Sequence, residues 1–84
     1  MRELIKIEWL DSYGASSKWN AVIDIKPIEL VCISVGYNIY EDENKIAIAP
    51  HYAAETDETM EQCNGVMTIP KCSITKITTL IEKD

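Results

Sequence analysis

The sequence predicts a small all-β domain: a five-stranded antiparallel barrel with a 3₁₀ turn before its last strand. Three observations carry this reading. Apolar and polar residues alternate in several short runs, the runs are separated by Gly, Pro, Asn and acidic clusters, and no amphipathic stretch reaches useful helical length. The 84 residues are read as one domain, 1–84. A domain this short buries only about 60–65% of the surface of its unfolded chain, so the core is thin and stability can be shared with a partner subunit.

"LIKIEWL" sets Ile5, Ile7 and Trp9 on one face and Lys6 and Glu8 on the other, which predicts a first strand near residues 3–10. "DSYGASSKWN" carries the Asp, Ser, Gly and Asn of a loop, and with them two aromatics, Tyr13 and Trp19. "AVIDIKPI" is β-branched, but Pro27 offers no ladder donor, so a short strand or an extended arm is expected. "IELVCISVGYNIYEDENKIAIAPHY" has the pattern of a hairpin: an apolar run, the polar cluster Glu41–Asn44, and a second alternating run. Gly36 interrupts its first arm, where a bulge or sharp bend would curl the sheet towards closure. "AAETDETMEQCNG" has no apolar period and reads as a solvated loop.

"GVMTIPKCSITKITTL" then supplies two strands joined at "PKCS", a segment long enough only for one tight turn. Pro70 suits the start of a 3₁₀ turn, because its ring fixes φ near the helical value and a first residue needs no donor. Short strands without βαβ alternation or repeats, and a turn of this kind before the last strand, describe an antiparallel SH3-like barrel.

Fourteen acidic against eight basic side chains give a net charge of −6, which opposes non-specific attraction to nucleic acid or an anionic membrane. "MRELIKIEW" lacks the apolar core of a signal peptide and no segment approaches the roughly 20 apolar residues of a membrane span, so a cytosolic protein is expected. Cys32, Cys63 and Cys72 are odd in number and lack CxxC spacing, and read as reduced thiols rather than a disulfide framework or a zinc site.

Catalytic material is sparse. His51 is the only histidine, at a strand end where a base could face solvent, but no glycine-framed nucleophile accompanies it. The acids Glu55, Asp57, Glu58 and Glu61 lack the spacing of a calcium loop, and the isolated glycines form no phosphate-cradling loop. The expectation is a protein that is not an enzyme and uses no metal or cofactor. Among the aromatics, Tyr13, Trp19 and Tyr52 lie in or beside expected loops and Tyr37 follows Gly36, positions from which a ring can stack on a base or bury a partner's side chain. Core packing competes for Trp9 and Trp19.

"IEWLDS", the following Trp19, "CISVGYNIYEDENKIAIAP" and "GVMTIPKCSITKITTL" together resemble a family of small proteins encoded by bacteriophages and prophages, over about four-fifths of the chain. The resemblance implies an SH3-like barrel in the cytoplasm of the infected host. By analogy with small phage proteins of this size class, it implies a homo-oligomeric sponge that sequesters, without cleaving, a nucleotide-derived signal of a bacterial immune system such as Thoeris or CBASS. On that reading Trp19 or Tyr37 stacks on the base, and Lys71 with Ser12 or His51 contacts phosphate or ribose. The alternative is a protein-interaction module that docks on a host protein, its acidic surface acting as a nucleic-acid mimic.

Overall fold

The alternation along "LIKIEWLD" is realised as a strand, β1 (Leu4–Asp11), in which Ile5 and Ile7 are buried and Leu4, Lys6 and Glu8 on the other face stay partly exposed. The computed structural model describes residues 1–12 and 18–83; Tyr13 and the rest of residues 13–17 lie outside the described residues. The remaining strands are β2 (Leu30–Glu41), β3 (Lys45–Ala49), β4 (His51–Ala53), β5 (Gln62–Asn64), β6 (Met67–Pro70) and β7 (Ile74–Leu80). Two 3₁₀ turns, Val22–Asp24 and Lys71–Ser73, accompany them, and no α-helix occurs among the described residues.

Five strands form one sheet in the order β6-β3-β2-β1-β7, every neighbour antiparallel, and β4 and β5 form a separate two-stranded ribbon. The expected hairpin is the β2–β3 pair. Its turn is held by Asp42, whose Oδ1 accepts the backbone N–H groups of Asn44 (2.8 Å) and Lys45 (3.0 Å). Lys45 Nζ at 2.8 Å from Asp42 and the Tyr40 hydroxyl at 2.9 Å use its second oxygen, and this cluster holds the Asp42 carboxyl well below the usual carboxylate range.

Ile5 and Ile7 of β1, Ile46 and Ile48 of β3 and Ile69 of β6 form one buried cluster, with Trp9 and Ile74 packed against it. Each fully buried isoleucine contributes roughly 1.5–3 kcal/mol. β1 and β3 are separated by β2, so their side chains meet in one cluster because the sheet curls over its own face. Trp9 thereby belongs to the core, its indole N–H donating to Ser34 Oγ at 3.0 Å.

Gly36 works differently from the expected bulge. The irregularities fall between Asn38 and Tyr40 and between Glu8 and Trp9, while Gly36 keeps register opposite Ile5. What the position needs is the absence of a side chain, since a Cβ there would come within 3.0 Å of the Ala49 carbonyl oxygen. Pro50, without a donor, ends β3 and separates it from β4, dividing the run read from the sequence as one arm.

The turn before the last strand is present, placed one residue later than Pro70. Pro70 closes β6 in extended conformation opposite Lys45, and Lys71–Ser73 make the 3₁₀ turn, with Ser73 Oγ donating to the Pro70 carbonyl at 2.8 Å. "AVIDIKPI" is an arm rather than a strand: a single 3₁₀ turn followed by unpaired extended chain. The expected loop at 53–65 contains β5. Between β4 and β5 the Thr56 hydroxyl accepts the N–H groups of Glu58 (3.2 Å) and Thr59 (3.0 Å), a local turn that brings the two short strands together.

Candidate functional site

Where β2 passes the start of β1, Tyr37 stands opposite Leu4 on one side and Ala49 on the other. The chain leaves Ala49 through Pro50 into β4, which sets Tyr52 beside it, the two rings 5.3 Å apart and tilted by 35°. Such a spacing is within the attractive range for aromatic pairs. Both tyrosines are half-buried, so each ring keeps a face or edge towards solvent.

Glu61 closes this corner. Its carboxylate receives the Arg2 guanidinium in a two-pronged contact, Nε to Oε2 at 3.1 Å and Nη2 to Oε1 at 2.9 Å, and also accepts the Tyr52 hydroxyl. The Arg2 guanidinium, with the Tyr52 hydroxyl second, holds the Glu61 carboxyl down to about 2, and Glu61 in turn raises both Arg2 and Tyr52. The arrangement ties the loop before β5 to the N-terminal segment across 59 residues of sequence.

Two concavities flank the pair. A recess of about 480 Å³ runs between the start of β1 and the end of β7, lined by Leu4, Leu80 and Ile81 with Tyr37 and Arg2 at its border. An open cleft of about 250 Å³ lies on the β4–β5 ribbon beside His51, Tyr52 and Asn64. The recess falls within the usual range for small-ligand sites, roughly 300–1,000 Å³. Tyr37 offers it one aromatic ring and Arg2 one guanidinium, while Glu3 and Glu82 also line it, so an anionic group would be held only on the Arg2 side. Two contacts of the five-donor Arg2 fork are on Glu61, and the fork has further N–H groups to offer.

The five residues expected to share a ligand do not converge in one chain. Tyr37 and His51 belong to this corner, His51 lying two residues beyond the Ala49 that pairs with Tyr37. Ser12 follows the far end of β1, eight residues from Leu4 and so about 26 Å along the strand. Lys71 lies beyond the Lys45–Pro70 end of the β3–β6 ladder, four residues from Ala49 and thus about 13 Å along β3, with its ammonium 2.7 Å from Glu41. Its partner responds: the Glu41 carboxyl is lowered by Lys71 first and by Asn38 second. Trp19 is fully exposed on the arm, so its ring is not core filler.

Arg2 and Glu61 were not legible as partners, since nothing local in "MREL" or "TMEQ" marks a contact made only when β4 and β5 pair. Among the described residues no group of three or more His, Cys, Asp or Glu is arranged to hold a metal ion, and no helix is long and apolar enough to cross a membrane. Compared with protein-family models, curated proteins and solved structures, the chain matches none.

Proposed function

We propose that the protein is a phage-encoded, non-enzymatic binding protein that acts in the host cytoplasm and sequesters a nucleotide-derived immune signal. The observation that carries this reading is Tyr37, backed by the Tyr52 ring, lining together with Arg2, Leu4, Leu80 and Ile81 a recess large enough for a nucleoside. A base stacked against Tyr37 would place an attached phosphate towards Arg2, and Thr79, Glu3 and Glu82 are the polar side chains in the same lining that a ribose would meet. The fold supports an SH3-like barrel: the sheet order β6-β3-β2-β1-β7 puts the 3₁₀ turn between the two edge strands, as closure of such a barrel requires.

Thermal melting against cyclic dinucleotides and ADP-ribose derivatives tests the reading. A ligand at roughly 100-fold its Kd stabilises by about 2.7 kcal/mol, a rise of roughly 10 °C or more for a domain this size. The expected result is one such compound, recovered chemically unchanged, whose effect disappears in Tyr37→Ala while the unliganded melting temperature changes little. Turnover of the compound overturns the non-enzymatic reading. No shift with any compound overturns nucleotide binding and favours the second reading, a module that docks on a basic host surface, which the exposed acids Glu55, Asp57 and Glu58 support.

A further inference from the structure

The chain exposes more surface than its mass accounts for. A compact monomer of 9.5 kDa has about 5,000 Å² of accessible surface, whereas this one has 7114 Å². Its radius of gyration is 17.5 Å, against about 12 Å for a compact chain of the same length, and its longest extent is 62 Å. The surplus is about 2,000 Å², and Trp19, Val22, Ile23, Val31, Ile33 and Val35 are all exposed large apolar side chains within residues 18–35.

Two features meet there. Val31, Ile33 and Val35 alternate along the first half of β2 on the face opposite Ile5 and Ile7, and are 57%, 62% and 48% exposed. Along this same stretch β2 is hydrogen-bonded to β1 only, because pairing with β3 starts at Tyr37; among the described residues nothing ladders onto its other edge. Proteins protect such edges with Lys, Pro, charge or bulges, and "LVCISVG" contains no charge and no proline. The arm leading into it is apolar as well, with Trp19, Val22 and Ile23 nearly fully exposed.

We infer that a second copy of this chain covers this surface, β2 pairing antiparallel with the partner's β2 through Leu30–Gly36 about a two-fold axis, and each arm lying on the partner's Val31–Ile33–Val35 stripe. The open edge, the apolar stripe and the apolar arm are all on one chain, which is the self-complementarity an isologous dimer needs. The charge allows it: residues 18–35 hold Lys18, Lys26, Asp24 and Glu29 and so sum to zero, leaving the −6 of the chain outside the contact. Were each chain's surplus buried against its partner, the contact would total up to about 4,000 Å², within the range of obligate homodimers. A single added peptide strand would satisfy the edge and leave the arm in water.

The test uses ligand-free, purified full chain, so it stands or falls apart from the nucleotide reading. Native mass spectrometry and sedimentation should give about 19 kDa, twice the 9.5 kDa chain. Ile33→Lys and Ile23→Asp, both at exposed positions away from the core, should each halve the mass while the far-ultraviolet circular dichroism stays β. Met60→Asp, at an exposed apolar position outside the patch, should leave the dimer intact. Hydrogen exchange on the unmodified chain should show slow amides within 30–36, including those pointing away from β1, and decides the matter should Ile33→Lys not fold. A monomeric parent protein, an assembly larger than a dimer, a dimer that survives Ile33→Lys, or freely exchanging edge amides overturns the edge pairing. A dimer that survives only Ile23→Asp overturns the arm exchange.

Discussion

Gly36 lies directly against the backbone of Ala49: a Cβ on Gly36 would stand 3.0 Å from its carbonyl oxygen and 3.1 Å from its nitrogen and carbonyl carbon. Ala49 is held in the β2–β3 ladder opposite Tyr37 and is itself fully buried, so it has little room to yield. The close approach is what allows β3 to fold over β2 and bring Ile46 and Ile48 onto Ile5 and Ile7. Gly36→Ala is therefore expected to cost about 1–3 kcal/mol, the usual range for overpacking, and Gly36→Val more. Urea unfolding should show the lower midpoint; an unchanged midpoint for Gly36→Val would mean that the two strands are not this close.

Gly65 is required for a different reason. Among the described residues it is the one glycine with a positive φ, +81°, and a Cβ would also meet the Pro50 ring at 3.1 Å. Gly65→Ala should destabilise by about 1–2 kcal/mol from the backbone conformation alone. Calorimetry of Gly65→Ala beside Pro50→Ala separates the two causes, since relieving the ring contact should recover only part of the loss.

The thin core makes single isoleucines expensive to lose. Ile7 is 0% exposed and central to the cluster, and Ile7→Ala should cost about 2–5 kcal/mol. A domain with a total stability of roughly 5–15 kcal/mol is left marginal by that change. Ile7→Val should cost about 0.5–1.5 kcal/mol and remain folded. Equal effects of the two substitutions would show that the side chain is not packed as described.

Acid should weaken the Arg2–Glu61–Tyr52 corner in a defined window. The Glu61 carboxyl binds its proton less readily folded, at about 2, than at its ordinary 4.5. As the pH falls, the unfolded chain takes up this proton first. The stabilisation is thus fully present above about 4.5 and is lost as the pH approaches 2. Asp42, depressed by Lys45 and the turn amides, loses its contribution on the same side. Melting temperature measured from neutral pH down to this range should fall less steeply in Glu61→Gln than in the parent protein, and identical slopes would show that the carboxylate gains nothing from Arg2.

Part of the candidate site was visible in the chain and part was not. The ring of Tyr37, after the glycine that bends the sheet, is at the corner where a ligand would stack, and His51 is close by. Ser12 and Lys71 are expected from the sequence to join those residues, yet the β1 and β3 ladders carry them away in other directions. A sequence shows which residues can hydrogen-bond a phosphate. It does not show the register that determines which of them share a corner.

By itself the sequence determined that the chain would be built of strands, where most of them run, and that a turn follows Pro70. Those properties depend on a period of two, on the missing proline donor and on polar clusters, all of which act within a few residues. Only the tertiary structure decided that Gln62–Asn64 pairs with His51–Ala53, that Arg2 meets Glu61, and that an apolar stripe on β2 is left uncovered. These outcomes follow from how far the sheet curls and which edges find partners, and contacts across dozens of residues leave no periodic trace in the chain.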